Sequence, residues 1–290
     1  MSKPSTIFEV RKWASLFLEE HQREKGVAEL LLQHHLGMTR VQLMANARDE
    51  VDRQVVDKLR KDLELHVSSG MPVQHLIGRE EFYGRSFEVN SHVLIPRPET
   101  EELIVGVLDR LQEKGLNSKP LRAVDIGTGS GIIAITLAKE LPEMDMHATD
   151  LSPTALAVAK RNAEQLNAGV VFHEGSFLEP LAEDAEGFDV IISNPPYIPE
   201  RDRASLSDTV VHHDPEMALF AGEDGLTAYR AIIDQLSSVL KKDTLLALEI
   251  GHDQGESVPA LIRDTYPQAD IQTVQDINSN DRMVFAWLSE

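Results

Sequence analysis

Val124-Asp125-Ile126-Gly127-Thr128-Gly129-Ser130-Gly131 is the stretch whose reading decides the fold. An apolar run ends in three glycines at alternate positions, and a helical pattern over 131–140 follows at once. Glycine lets the backbone turn tightly and approach a ligand with no Cβ in the way. The dinucleotide fingerprint needs Gly-x-Gly-x-x-Gly. Here the glycines are 127, 129 and 131 and Ile132 follows, which departs from the pyrophosphate-binding form. The spacing suits a loop packed against an adenosyl group that carries no phosphates, a plain structural turn being the lesser alternative.

Reading outward, the chain alternates. Strands are predicted over 122–126, 145–149, 170–173, 189–192, 244–250, 271–274 and 283–288. Helices are predicted over 131–140, 153–166, 225–240 and 254–265. Strands alternating with helices imply a mainly parallel sheet covered on both faces. Asp150 ends the second strand, 19 residues past Gly131. There a carboxylate can accept both ribose hydroxyls of a nucleoside; alone, it equally suits the N-cap of a helix starting near Pro153. Phe177 follows the third strand, where a ring can lie against an adenine or simply join the core.

The fourth strand ends in Ile191-Ile192-Ser193-Asn194-Pro195-Pro196-Tyr197. Each proline fixes φ near −65° and has no N–H, and each biases the preceding residue toward extended backbone. The carbonyls of such a turn stay free to accept hydrogen bonds. Asn194 adds an amide and Tyr197 a flat face, so the turn can hold a planar group bearing an NH₂. A proline-rich turn that merely closes a strand is the alternative.

Before this sheet the chain reads differently. Residues 1–70 read as a small bundle of amphipathic helices. Thr6 and Glu9 fit a capping box ahead of Ile7, Val10, Ala14 and Leu18, and Thr39 and Gln42 fit another ahead of Val41, Leu43 and Met44. A second helix carries Val27, Leu30, Leu31 and His34 and stops near Gly37, and a fourth covers roughly 51–67. Pro72 to Gly78 reads as a linker, and Phe82-Tyr83 and Phe87-Val89 flank Gly84-Arg85 as a hairpin. Val93 to Pro96 then leads into a helix, with Pro98 in its first turn and acidic residues following. The expected organisation is a helical domain over 1–70, a linker with hairpin over 71–92, and the sheet domain over 93–290.

Composition excludes several function classes. The chain has 290 residues and no cysteine, which removes disulfides, thiolate zinc sites and thiol catalysis. Residues 1–6 are polar and no run approaches the ~18 apolar residues of a membrane helix, so a cytoplasmic protein with no membrane partner is expected. The first 70 residues hold 11 Lys+Arg against 11 Asp+Glu, so the whole net charge of −20 falls on 71–290. A body this acidic opposes phosphodiester chains. Of the 11 histidines, His34-His35 and His212-His213 are adjacent pairs that diverge on a helix or strand, and no His-Glu-x-x-His occurs. No catalytic metal is expected.

These motifs together resemble the class I S-adenosylmethionine-dependent methyltransferases. An Asn-Pro-Pro-aromatic turn is shared there by adenine-N6 and glutamine-N5 enzymes. Ile95-Pro96-Arg97-Pro98-Glu99-Thr100-Glu101 is similar to the segment typical of the HemK/PrmC release factor glutamine methyltransferases. Phe82-Tyr83-Gly84, the 215–219 and 224–226 stretches, Glu249-Ile250-Gly251 and Asp281-Arg282 add to that likeness, which spans about residues 70–290. The resemblance implies a Rossmann-like α/β fold with a mostly parallel seven-stranded sheet and a small N-terminal helical bundle. It implies S-adenosyl-L-methionine held by Gly127, Thr128, Gly129, Ser130, Gly131, Asp150, Phe177 and Asn194. It implies a substrate glutamine held by Asn194, Pro195, Pro196 and Tyr197, of which Asn194, Pro195 and Tyr197 serve catalysis. The implied substrate is the Gly-Gly-Gln loop of class-1 peptide chain release factors, met by a monomer without direct nucleic-acid contact. An adenine-N6 enzyme, or a glutamine enzyme acting on a ribosomal protein, is the alternative. Ser176-Phe177 stands where the family often has Asp-Trp, which bears on affinity.

Overall fold

The structure, a computed structural model, describes residues 6–184, 186–206 and 213–289. Residues 1–5, and His212 of the second histidine pair, lie outside them. The chain divides into two compact units, one ending at Arg79 and taking in His213, the other holding Glu80–Leu206 and Asp214–Glu290.

The first unit is helical: α1 (Ile7–Glu20), α2 (Gly26–Leu36), α3 (Arg40–Ala45), α4 (Arg53–Ser69) and α5 (Val73–Ile77). Both expected capping boxes form, Thr6 with Glu9 and Thr39 with Gln42. Ile7, Val10, Ala14 and Leu18 are buried, as their spacing requires. The second and third helices differ from expectation: Leu30, Val41 and Met44 are exposed, whereas Val27, Leu31 and Leu43 of those sets are buried. The stretch expected as a linker is α5. Pro72 is its N-cap and Gly78, at φ 77°, its left-handed C-cap, so the two ends of the expected linker bracket a helix. Val73 joins the core of this unit.

The second unit opens with the expected hairpin, β1 (Arg79–Phe82) and β2 (Arg85–Glu88). Tyr83 and Gly84 both have positive φ (50° and 69°), the requirement of a type I′ turn. After it come α6 (Pro98–Glu113), β3 (Arg122–Ile126), α7 (Ile132–Glu140), β4 (Asp145–Asp150), α8 (Pro153–Leu166), β5 (Val170–Glu174) and β6 (Phe188–Ser193). Then follow the short α9 (Glu216–Leu219), α10 (Thr227–Gln235), β7 (Leu240–Glu249), α11 (Ser257–Thr265), β8 (Asp270–Gln275) and β9 (Asp281–Ser289). The sheet has seven strands in the order β5-β4-β3-β6-β7-β9-β8. Strands β3 to β7 pair in parallel, and β9 runs antiparallel between β7 and β8.

Side-chain alternation puts a core on each face. Ala123, Val190, Ile192, Leu245 and Ala247 pack with α6 and α7. Val124, Ile191, Leu246 and Leu248 pack with α10 and α11. The strand order reverses between β3 and β6, and at such a switch point open α/β sheets bind ligands beyond the carboxyl ends of their strands.

Candidate active site

Strand register assembles the site. Ile126 pairs with Thr149 on one side and Ser193 on the other, so Gly127, Asp150 and Asn194 leave three adjacent strands at one level. Ser193 Oγ donates to the Ile126 carbonyl at 2.7 Å and pins the mouth of β6 to that of β3. Above them lies a cavity of about 230 Å³, lined by residues 92–97, the glycine loop, Asp150, Phe177, Asn194, Pro196 and part of 215–218.

The loop is shaped by its own bonds. Gly127, Gly129 and Gly131 have φ of 69°, 55° and 84°, which glycine alone adopts without strain. A Cβ on Gly127 or Gly129 would meet nothing within 4 Å, so the loop leaves open space beside the cavity. A Cβ on Gly131 would come within 2.8 Å of Ile135 and 3.2 Å of Ala159, so that glycine serves helix packing. The Thr149 carbonyl accepts from Gly127 and Thr128 N–H, at 2.9 and 3.0 Å.

Asp150 holds the loop and faces the ligand space together. Its Oδ2 accepts from Gly129 N–H at 2.9 Å and its Oδ1 from Ser152 N–H at 2.8 Å. The N-cap of α8 is Ser152, whose Oγ accepts from Ala155 N–H, and not Asp150. Burial raises the Asp150 pKa, and the two N–H donors pull it back. Each carboxylate oxygen retains a lone pair for a ligand hydroxyl. These features fit an adenosyl group: open glycine backbone, an acceptor pair at the end of β4, and the Phe177 ring on the cavity wall.

The acceptor turn is divided. Asn194 and Pro196 line the cavity, whereas Pro195 and Tyr197 do not. The Tyr197 side chain packs against the core layer beneath the sheet's α10 face, and burial with the nearby Glu249 charge pushes its hydroxyl up to about 12. The Tyr197 carbonyl accepts from Gln254 Nε2 at 3.1 Å, and Gln254 also bonds the Gly225 carbonyl. The Tyr197 ring is thus half-buried and packs with the second core layer.

Five residues to which the sequence reading gave no site role stand here. Thr100 Oγ1 accepts from Asn194 Nδ2 at 3.2 Å and donates to Glu249 Oε2 at 2.7 Å. Arg97 Nη2 reaches Asp214 at 3.1 Å, tying 92–97 to the 214–218 segment across the cavity. Asp125, wholly buried, accepts from Thr128 Oγ1 at 2.6 Å and Ala134 N–H at 3.3 Å. An acidic residue inside an apolar strand was the available signal for Asp125, since burial of such a group demands partners.

Burial raises Asp125 to about 7, partly opposed by its two donors. A carboxyl raised in the fold contributes stability that is full below its unfolded pKa and is lost as pH climbs through the folded value. Relative to Asp125→Asn, the wild type is expected to lose stability between pH 4 and 7 and then level off. A shift of about three units corresponds to ~4 kcal/mol as an upper figure. Denaturant titrations of both proteins across that range check this; a pH-independent difference would contradict it.

Comparison with known proteins agrees with the geometry. Residues 9–78 match the PrmC N-terminal domain family, and residues 106–222 the methyltransferase small domain family. The release factor glutamine methyltransferase of Bacillus anthracis is 46% identical over 97% of this chain and 98% of its own length. That of Bacillus subtilis is 43% identical over 98% of each. Among solved structures, the hMettl16 catalytic domain in complex with the MAT2A 3'UTR hairpin 6 shares the fold, with a TM-score of 0.54, 18% identity and 82% of each chain covered. Identity above 40% across both units goes well beyond a shared fold, and the chain belongs to the release factor glutamine methyltransferase family.

Proposed function

We propose that the protein transfers the methyl group of S-adenosyl-L-methionine to the side-chain amide nitrogen of the glutamine in the Gly-Gly-Gln loop of class-1 peptide chain release factors. The observation that carries this is the seating of Asn194 beside the glycine loop in one cavity, its amide nitrogen held by Thr100. Gly127 to Gly131, Asp150 and Phe177 would hold the donor, Asp150 accepting from the ribose hydroxyls.

When bound, the donor supplies an electrophilic methyl carbon, whose bond to sulfur breaks with the electron pair kept by sulfur as the bond to nitrogen forms. An amide nitrogen is a weak nucleophile because its lone pair is delocalised into its carbonyl. The chain's task is thus alignment. Asn194 Oδ1 would accept one amide hydrogen and raise electron density on the nitrogen. The Pro195 carbonyl, on the same rigid turn, would accept the other once the substrate is seated against it. Positioning of this kind can remove ~7–11 kcal/mol of barrier in favourable cases. Tyr197 would act from beneath by fixing the turn, and Pro196 would border the acceptor. The N-protonated product amide is acidic enough to pass its proton to water, so no dedicated base is needed.

The charge distribution supports a protein substrate over a nucleic acid, since residues 71–290 carry the whole net charge of −20. The test offers purified release factor, DNA and ribosomal RNA side by side with labelled donor, followed by peptide mapping. Label is expected on the glutamine of Gly-Gly-Gln. A short peptide of that sequence is expected to react at least tenfold more slowly, because docking elsewhere supplies binding energy. Label in nucleic acid and none in the release factor would reassign the protein to the adenine-N6 class.

A further inference from the structure

We infer that Glu249, acting through Thr100, sets which way round the Asn194 amide stands, and so presents its oxygen rather than its NH₂ to the acceptor nitrogen. This rests on the acceptor role proposed for Asn194. Register brings the groups together: Ser193 pairs with Leu248, so Asn194 and Glu249 leave β6 and β7 side by side. Thr100 reaches them from the first turn of α6. Thr100 and Glu249 are buried, and Asn194 is not exposed.

An asparagine side chain has nearly the same shape either way round, so packing cannot choose its orientation. Hydrogen bonding can. A carboxylate only accepts, so the Thr100 hydroxyl spends its one hydrogen on Glu249. What Thr100 has left are lone pairs, which demand a donor from Asn194. Asn194 also lies near enough to the Glu249 carboxylate to favour its charged form. The amide nitrogen is then engaged on this side, and Oδ1 is left for a ligand. Reverse the donor sense at Thr100 and the amide is free to turn, setting NH₂ against NH₂.

The arrangement depends on Glu249 being ionised. Arg282 on β9 favours that state, whereas burial and Glu99 on α6 oppose it. Tyr197 is held neutral, and Tyr229 on α10 donates its hydroxyl to the Glu249 carbonyl and carries no charge. Burial raises the Glu249 carboxyl to about 7. Below that pH a protonated Glu249 can itself donate to Thr100, and the orientation is lost.

The experiment measures kcat, KM and the pH profile of release factor methylation for the wild type, Thr100→Val, Thr100→Ser, Glu249→Gln and Asn194→Ala. Thr100→Val, nearly the same shape without a hydroxyl, is expected to lose about tenfold in kcat with KM within threefold. Thr100→Ser is expected within threefold of the wild type. Wild-type kcat is expected to rise through a limb near pH 7 that Glu249→Gln lacks, its plateau lying at least tenfold lower. Wild-type kcat in Thr100→Val, or an unchanged limb in Glu249→Gln, overturns the inference while an inactive Asn194→Ala leaves the acceptor reading standing. Full transfer by Asn194→Ala overturns both.

Discussion

Replacing Asn194 by alanine is expected to lower the rate of methyl transfer by about 10²–10³-fold, the size found when one preorganised hydrogen-bond partner of a reacting group is removed. The loss should appear in kcat, because the bond matters most as charge develops on the nitrogen. Donor affinity should fall by less than tenfold, since the loop and Asp150 are untouched and their mutual bond at 2.9 Å does not involve Asn194. Single-turnover transfer to a release factor, with calorimetric titration of the donor, separates the two quantities. A variant that transfers at the wild-type rate would show that Asn194 is not the acceptor's partner.

Asp150→Ala is expected to act on the other half of the reaction. Two hydroxyl bonds to a carboxylate are worth ~1.5–3 kcal/mol each, so donor affinity should weaken by at least 10²-fold. The variant also strips Gly129 N–H and Ser152 N–H of their partners, so the loop loses part of its shape and melting should begin a few degrees earlier. Asp150→Asn, which keeps one acceptor oxygen, should fall between the two. Titration of the donor into each variant decides the matter: a dissociation constant within threefold of the wild type would mean that the ribose is held elsewhere. NAD should bind none of them, because the loop departs from the pyrophosphate pattern at Ile132.

Sequence reading reached the fold through period. Ala123 and Val124, or Leu245 and Leu246, fall on opposite faces in the structure as alternation requires, and the strand–glycine–helix junction is where it was expected. It failed where a residue's meaning depends on what closes round it. Pro72 and Gly78 are breakers in an open chain and caps once Val73 has a core to enter. Tyr197 beside two prolines suggests a binding face, yet its ring packs with the second core layer, whose residues are remote in sequence. Thr100 stood in the 95–101 segment with no role of its own, and only the meeting of α6 with β6 and β7 gives it Asn194 and Glu249. Asp150 illustrates the middle case: its place at a strand end was evident, and only the structure shows that Ser152 takes the cap.

One buried side chain links the hairpin to the donor loop. Asn162, in α8, accepts from Glu88 N–H at 2.7 Å and donates to the carbonyls of Glu88 and Ser130 at 3.0 and 2.8 Å. A two-stranded hairpin alone frays readily in water. With its last residue clamped to the same amide as the glycine loop, β2 cannot peel away without releasing Ser130. The Glu88 amide proton should therefore exchange with solvent at the pace of α8 and the loop, orders of magnitude more slowly than a free hairpin end. The loop in turn meets its ligand already ordered, and the binding entropy that a floppy glycine segment would forfeit is spared by a contact made 32 residues along the chain.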